Sequence, residues 1–183
     1  MPPTVRRGVF PGSFDPLTVA HVAVADAAVA TLGLGRLELS VSQDALGKPH
    51  LDGTAHDRVA DLRTALSGRP GWEVVVTTAR LLADVSAGYD AVVLGADKLA
   101  QVLDPAWYAD GPGTREAEAA RDAALRRLPT VAVSPRSGQP LDALVAQAGG
   151  LGLDVVVLDV APHLHEVSAT AVRAGRDEWR AVG

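Results

Sequence analysis

A short segment near the start of the chain combines glycine, hydroxyl and imidazole groups at spacings suited to binding a polyphosphate. Gly12 and Ser13 follow an apolar run directly, so glycine relieves a tight turn and serine supplies a hydrogen-bond donor. Thr18 and His21 lie three residues apart at the start of a predicted helix and therefore share one face of it. The N-terminus of that helix adds N–H groups and partial positive charge, which suit a phosphate anion.

The same residues also allow a purely structural interpretation of this segment. Asp15-Pro16 would initiate a further turn, Thr18 would cap the helix, and His21 would be a half-buried helical residue. A lone histidine is more often structural than catalytic. On the residues alone, both interpretations stay open.

A second segment with similar chemistry lies near the other end of the chain. Ser168 is a suitable helix N-cap, Thr170 falls in the first predicted turn, and Arg173 follows about one turn later, within reach of a phosphate. Taken by itself, this pattern favours a capped amphipathic helix over an anion site.

Alternating strand and helix patterns predict the elements that position these segments. Strands are predicted over residues 5–10, 37–41, 72–77, 91–94, 130–134 and 154–158, and helices over 19–32, 55–66, 114–128, 141–148 and 168–175. Four of the strands are nearly continuous apolar runs, as in parallel sheets covered on both faces. The pattern predicts an α/β, Rossmann-like, mostly parallel sheet with helices on both faces, as a single domain over residues 1–183.

Composition excludes several other classes of protein. The 183 residues include no cysteine, which excludes disulfides, thiolate-bound zinc and thiol nucleophiles. A net charge of −5 argues against a nucleic-acid or anionic-membrane partner, and the most apolar stretch, 19–34, is too short and interrupted to span a bilayer. We expect a cytoplasmic protein without a membrane or nucleic-acid partner; a homo-oligomer is compatible with the sequence.

Both end segments resemble the motifs of one family of nucleotidyltransferases. Residues 12–16, Gly-Ser-Phe-Asp-Pro, followed by 18–21, Thr-Val-Ala-His, are similar to the T/H-x-G-H signature of pyridine mononucleotide and phosphopantetheine adenylyltransferases and small cytidylyltransferases. Residues 167–173, Val-Ser-Ala-Thr-Ala-Val-Arg, resemble the family's second motif, I-S-S-T-x-I-R. One position departs: Ala20 stands where the family has glycine, and its methyl group is expected to crowd the nucleotide, so that either the loop shifts or activity falls.

The resemblance implies a set of functional residues and substrates. Nucleotide-binding positions would be Gly12, Ser13, Phe14, Asp15, His21, Gly95, Asp97, Ser168, Thr170 and Arg173. Catalytic positions would be Thr18, His21, Lys48 and Arg173. It also implies a nucleoside triphosphate, ATP foremost, and a phosphorylated small molecule as substrates. Mg²⁺ would be bound through the substrate phosphates, without a dedicated set of protein metal ligands.

Two segments in the middle of the chain concern the acceptor, the phosphorylated small molecule that would receive the nucleotidyl group. Lys48, after the second strand, is the better candidate for holding the acceptor phosphate; His50 is weaker, and Arg58 fits a helix-surface ion pair equally well. Gly95 and Asp97 resemble the Gly-x-Asp-x-Leu of the pyridine-nucleotide branch, in which a tryptophan follows about ten residues later.

Trp107 stands at that position, where its ring would stack on a pyridinium-type base. Structural alternatives remain: Trp107 as an interfacial core aromatic and Asp97 as a helix N-cap. Arg136, at the end of the fifth strand, faces the same edge, with no further support for a phosphate role.

The expected activity is transfer of AMP from ATP to nicotinate or nicotinamide mononucleotide. Phosphopantetheine adenylyltransferase and cytidylyltransferase activities remain as alternatives, because the phosphate-binding motifs contact what all these substrates share. An alternative from another class of protein is a sensor that binds a nucleotide without catalysing a reaction. The alanine at position 20, in place of the family's glycine, keeps this alternative open.

Overall fold

Six parallel strands form one sheet in the part of the chain that the computed structural model describes, residues 5–43, 55–108 and 114–181. The strands are β1 Arg7–Gly12, β2 Arg36–Ser42, β3 Trp72–Thr77, β4 Ala91–Gly95, β5 Thr130–Ser134 and β6 Val155–Val157. The helices are α1 Val19–Leu32, α2 Ala55–Ala65, α3 Leu82–Val85, α4 Ala96–Leu103, α5 Arg115–Leu125, α6 Leu141–Gly150 and α7 Ala169–Arg173. Single 3₁₀ turns cover Pro105–Trp107, Pro162–Leu164 and Asp177–Trp179.

The predicted Rossmann-like α/β fold is confirmed, with all six strands in place. α3 and α4 were not predicted because their start signals are weak. α3 is a single turn whose N-cap, Leu81, makes no side-chain capping bond. α4 begins after Gly95, which has no side chain with which to cap it. Both helices are held by packing rather than by local sequence signals.

The strand order, β3-β2-β1-β4-β5-β6, reverses direction between β1 and β4. In open parallel sheets, ligands bind at such a switch point, outside the carboxyl ends of the strands. Here those ends are Gly12 of β1 and Gly95 of β4. The fold thus directs the first motif and the Gly95–Asp97 segment to the same edge.

Helices cover both faces of the sheet. On one face, α1 and α2 bury Ala28, Leu62 and their neighbours against β1 and β2. On the other face, Leu99 of α4, Leu125 of α5 and Leu144 of α6 pack on β4 and β5. In the ranges described, no helix is long and apolar enough to cross a bilayer.

A buried carboxylate joins the amino ends of β1 and β2. Glu38 is 3% exposed and is contacted by Arg7 Nη2 at 2.9 Å, by Arg36 Nε at 3.0 Å and by the hydroxyl of Tyr89, which donates to it. Burial alone would raise the pKa of Glu38, but the hydrogen bonds from Tyr89 and Arg7 outweigh it and lower that pKa. Burial, together with the bond to Glu38, raises the pKa of Tyr89 to about 12.

We predict that Tyr89→Phe changes how stability depends on alkaline pH. Because the pKa of Tyr89 is raised on folding, from 10.0 to about 12, its contribution is complete below the lower value and is lost as the pH rises toward the upper one. After allowance for solvent screening, the loss is about 1–2 kcal/mol. Urea unfolding of the wild type and the variant across that interval should show their difference in stability shrinking. A constant difference would contradict this account.

Candidate nucleotide site at the sheet switch point

The turn after β1 is built around a close contact between a glycine and an aromatic ring. A Cβ on Gly12 would lie 2.8 Å from the Phe14 ring, so no larger residue fits there without moving the ring. Phe14 itself has φ 46° and is only 3% exposed. Its ring is therefore part of the core, so a nucleotide contact by Phe14 would have to come from its backbone.

Thr18 and His21 form a reciprocal capping box at the start of α1. The Thr18 hydroxyl accepts from the His21 backbone N–H at 3.3 Å, and His21 Nδ1 accepts from the Thr18 backbone N–H at 3.1 Å. The prediction that Thr18 caps this helix is confirmed. α1 runs for 14 residues with no acidic side chain in its first turn, so its own carboxylates do not offset the positive end of its dipole.

The imidazole of His21 is also held by two phenylalanines. Its ring lies edge-to-face with Phe14 at 5.2 Å and with Phe10 at 6.2 Å between centroids. The two phenylalanine rings pack against each other in the same manner at 5.3 Å. Packing by Phe10 and Phe14, together with the bonds at Nδ1, thus fixes both the plane and the rotation of the imidazole.

The second motif forms a shorter helix than the sequence predicts. Ser168 is its N-cap, as predicted, and accepts from the Ala171 N–H at 3.1 Å. α7 spans only Ala169–Arg173, five residues, rather than the predicted 168–175. So short a helix has little macrodipole, and any grip on phosphate here must come mainly from the side chains of Ser168, Thr170 and Arg173.

The two motifs meet in space although about 150 residues separate them. The guanidinium of Arg173 donates to the backbone carbonyl of Asp15, lies 3.8 Å from its carboxylate, and donates to the Thr170 hydroxyl at 3.3 Å. A backbone bridge joins Thr18 to Arg180, and the Ala181 N–H donates to the Leu17 carbonyl at 3.0 Å. The C-terminal segment thus holds the loop that carries the first motif.

At the end of β4, Gly95 leaves room for two polar side chains. A Cβ on Gly95 would lie 2.5 Å from Asp97 Oδ1 and 3.4 Å from Arg136 Cγ. The side chain of Asp97 is 60% exposed, as a ribose contact requires. The alternative of Asp97 as an N-cap is wrong, because the cap of α4 is Gly95 and Asp97 lies within the first turn.

Arg136 connects this strand end to the second motif. Its Nη1 donates to the Val167 carbonyl at 2.6 Å, and its Nε lies 3.8 Å from the Asp97 carboxylate. Val167 directly precedes the cap of α7, so Arg136 helps to set where that helix begins. Sequence reasoning placed Arg136 at the correct edge but missed this link, because the bond is to a backbone carbonyl 31 residues away.

Trp107 lies in the 3₁₀ turn after α4. It is 55% exposed, so the alternative of a core aromatic is wrong. The eight residues of α4, a helix about 12 Å long, lie between Gly95 and this turn. The hydroxyl of Tyr108 anchors the turn on the Val102 carbonyl at 2.9 Å, and burial raises the pKa of Tyr108. The exposed ring of Trp107 is free of core packing constraints, as stacking on a substrate requires.

On the expected acceptor side, Lys48 and His50 lie outside the described residues. Arg58 does not sit on the helix surface, as one alternative held: it is 6% exposed, and its guanidinium donates to the Ser42 carbonyl at 3.2 Å. Arg58 thereby ties α2 to the carboxyl end of β2.

Ala20 is the second residue of α1 rather than part of a loop. It is 4% exposed, so its methyl group is already enclosed by protein. α1 begins at Val19, and its capping box is complete around Ala20.

A metal held by the protein itself would need several histidine or carboxylate side chains close together. Across residues 5–43, 55–108 and 114–181, no three histidine or carboxylate side chains converge on one point. The Nε2 of His165 lies 2.8 Å from the Val160 carbonyl. A Mg²⁺ ion that keeps its waters and binds the substrate phosphates needs no such cluster.

Fold and site together define a Rossmann-like α/β protein in which two motifs from opposite ends of the chain meet at the sheet switch point. A family model described as cytidylyltransferase-like matches residues 9–175. The chain belongs to the cytidylyltransferase-like family.

Within this family, the chain is similar to curated proteins named as probable nicotinate-nucleotide adenylyltransferases. A probable nicotinate-nucleotide adenylyltransferase of Bordetella avium is 35% identical over 105 residues, 52% of this chain and 53% of that protein. One of Laribacter hongkongensis is 39% identical over 72 residues, 39% of this chain and 33% of that protein. The chain thus matches about half the length of the first relative, and less of the second.

A solved structure supports the fold at low sequence identity. The nicotinic acid mononucleotide adenylyltransferase of Plasmodium falciparum, complexed with NaAD, superposes with a TM-score of 0.67 at 13% identity. The match covers 93% of this chain and 83% of that one. At this identity, the likeness establishes the shared fold alone.

Proposed function

We propose that this chain, as a single domain over residues 1–183, transfers the AMP group of ATP to nicotinate or nicotinamide mononucleotide and releases pyrophosphate. The names of the Bordetella and Laribacter relatives favour nicotinate mononucleotide. The proposed reaction takes place in the cytoplasm.

The observation that carries this proposal is the junction of the two motifs. Arg173 contacts both Asp15 and Thr170, at the carboxyl edge of the sheet where β1 and β4 diverge. A triphosphate placed there would meet the start of α1 and His21 on one side and the guanidinium of Arg173 on the other. Such an arrangement neutralises several negative charges at once, which is what adenylyl transfer requires.

In the proposed reaction, an oxygen of the acceptor phosphate attacks the α-phosphorus of ATP. The new P–O bond forms as the bond to the bridging α–β oxygen breaks, and the electron pair leaves with pyrophosphate. No protein nucleophile is needed, because the acceptor phosphate is ionised near neutral pH. Catalysis then consists of positioning and charge stabilisation.

Different residues of the chain would contact different groups of the two substrates. His21 would bind the triphosphate near the transferring group, and Ser168, Thr170 and Arg173 would hold the β- and γ-phosphates. Lys48 would offset charge on the acceptor phosphate. Asp97 would accept from ribose hydroxyls, and Trp107 would stack on the pyridine ring. Mg²⁺ bound to the phosphates would supply further charge neutralisation.

Pyrophosphate release tests the proposal directly. ATP, CTP, GTP and UTP would each be combined with nicotinate mononucleotide, nicotinamide mononucleotide and phosphopantetheine in the presence of Mg²⁺. The proposal predicts release with ATP and a pyridine mononucleotide. Release with CTP alone, or with phosphopantetheine alone, would replace the proposed substrate while keeping the reaction class.

A nucleotide-binding sensor would behave differently in the same experiment. It would bind ATP, yet release no pyrophosphate with any acceptor. Ala20→Gly separates the two cases further, since a gain of activity in that variant would indicate a partly degenerate enzyme. The enclosed position of Ala20 predicts no such gain.

A further inference from the structure

We infer that Thr18 is a positioning residue, which acts through the capping box to hold the His21 ring with its proton on Nε2. The part of this inference that concerns catalysis rests on the proposed function, whereas the part that concerns the proton does not. The alternative is the role that the family resemblance implies, in which the hydroxyl of Thr18 binds phosphate itself.

The burial of Thr18 argues against a direct contact with phosphate. Thr18 is 1% exposed, and its hydroxyl is engaged inside the capping box. It accepts from the His21 N–H at 3.3 Å and lies 3.0 Å from His21 Nδ1. A phosphate could reach this hydroxyl only if the first turn of α1 opened.

The backbone of Thr18 determines which imidazole nitrogen carries the proton. Its N–H points at His21 Nδ1 from 3.1 Å, and a backbone N–H can only donate. Nδ1 must therefore present its lone pair, and in the neutral ring the proton resides on Nε2. The hydroxyl of Thr18 accepts from the His21 N–H and lies 3.0 Å from the same Nδ1, to which it would donate in this tautomer.

This arrangement fixes how His21 can contact a substrate. Because Nδ1 is occupied by Thr18, a hydrogen bond from the ring to a phosphate oxygen has to come from Nε2–H. The rings of Phe10 and Phe14 hold the imidazole plane, and the bridge between Thr18 and Arg180 holds the backbone that supplies the N–H. The donor is thus oriented before any substrate binds, which lowers the cost of reaching the transition state.

The first test observes the proton itself. In ¹⁵N-labelled full-length protein, the two-bond proton–nitrogen correlations of His21 would be assigned by comparison with His21→Asn. We expect the pattern of a neutral ring protonated at Nε2 in the wild type, and the same pattern in Thr18→Val, because that variant keeps the backbone N–H that points at Nδ1. A wild-type ring protonated at Nδ1 would overturn the inference, whether or not the protein has the proposed activity.

The second test is a double-mutant cycle on pyrophosphate release. Thr18→Val should lower kcat about tenfold in the wild type, because the Nε2 donor loses its orientation. It should cause little further loss in the His21→Ala background, because the residue through which Thr18 acts is gone. An equal loss in both backgrounds would mean that Thr18 contacts substrate independently, and would overturn the inference.

Two further variants separate positioning from helix stability. Thr18→Ser keeps the hydroxyl and should recover most of the activity that Thr18→Val loses. Thr114→Val removes the equivalent cap from α5, where Thr114 accepts from the Ala117 N–H at 3.1 Å. It should lower the melting temperature as Thr18→Val does while leaving kcat unchanged. A matching fall of kcat in Thr114→Val would attribute the loss to stability and contradict the inference.

Discussion

His21→Ala is expected to lower kcat for adenylyl transfer by about two orders of magnitude. The variant removes an oriented donor whose contact strengthens in the transition state, which commonly costs about 3 kcal/mol. It also removes half of the capping box at α1, at a cost to stability of about 1 kcal/mol. Steady-state kinetics and thermal unfolding of the same preparation measure both effects.

The two effects of His21→Ala differ enough to be separated. A loss of about 1 kcal/mol lowers the melting temperature of a domain this size by roughly 2–4 °C, so the variant remains folded at assay temperature. His163→Ala is the matched control, because His163 is an exposed histidine on the 3₁₀ turn before the second motif. Turnover near the wild-type value in folded His21→Ala would refute a catalytic role for this histidine.

Arg173→Ala is expected to lower kcat/KM for ATP by about 100-fold. Arg173 is the residue that contacts both motifs, and its guanidinium carries charge to the place where the β- and γ-phosphates would lie. Losing such a charge-assisted contact costs about 3 kcal/mol at the transition state. Arg173→Lys should recover only part of the lost kcat/KM, because an ammonium group lacks the planar guanidinium that can donate hydrogen bonds to two acceptors at once.

Arg176→Ala provides the comparison for Arg173. Arg176 lies three residues further on, is exposed, and stacks over the Trp179 ring at 4.4 Å. Arg176→Ala removes the same charge from the same end of the chain, and it keeps the backbone N–H that donates to the Ala171 carbonyl of the second motif. Equal losses of kcat/KM in the two variants would indicate a general electrostatic effect and contradict a specific role for Arg173.

Most of the fold was predictable from local patterns. The apolar runs of β4 and β5 identified buried parallel strands, whereas β6, also an apolar run, lies at the sheet edge with Val157 46% exposed. Gly33, Thr114 and Ser168 marked helix ends that the structure confirms. The elements missed, α3 and α4, lack side-chain caps at their starts. Their formation depends on tertiary packing, which a local pattern does not encode.

The site was only partly predictable, for a different reason. Motif residues such as His21 and Arg173 could be named from their types and spacing, but their partners could not. The bonds of Arg173 to Asp15 and of Arg136 to Val167 run to backbone carbonyls far away in sequence, and carbonyls are present at every residue. The burial of Arg58 and Thr18 likewise depends on what packs over them.

The most direct test of the account follows the phosphorus atoms of ATP. With nicotinate mononucleotide as acceptor, ATP labelled at the α-phosphorus should transfer its label to a dinucleotide product, and ATP labelled at the γ-phosphorus should release its label as pyrophosphate. That result would establish adenylyl transfer by this chain. Label from the γ-phosphorus appearing as inorganic phosphate, with none from the α-phosphorus in a dinucleotide, would contradict the proposed reaction.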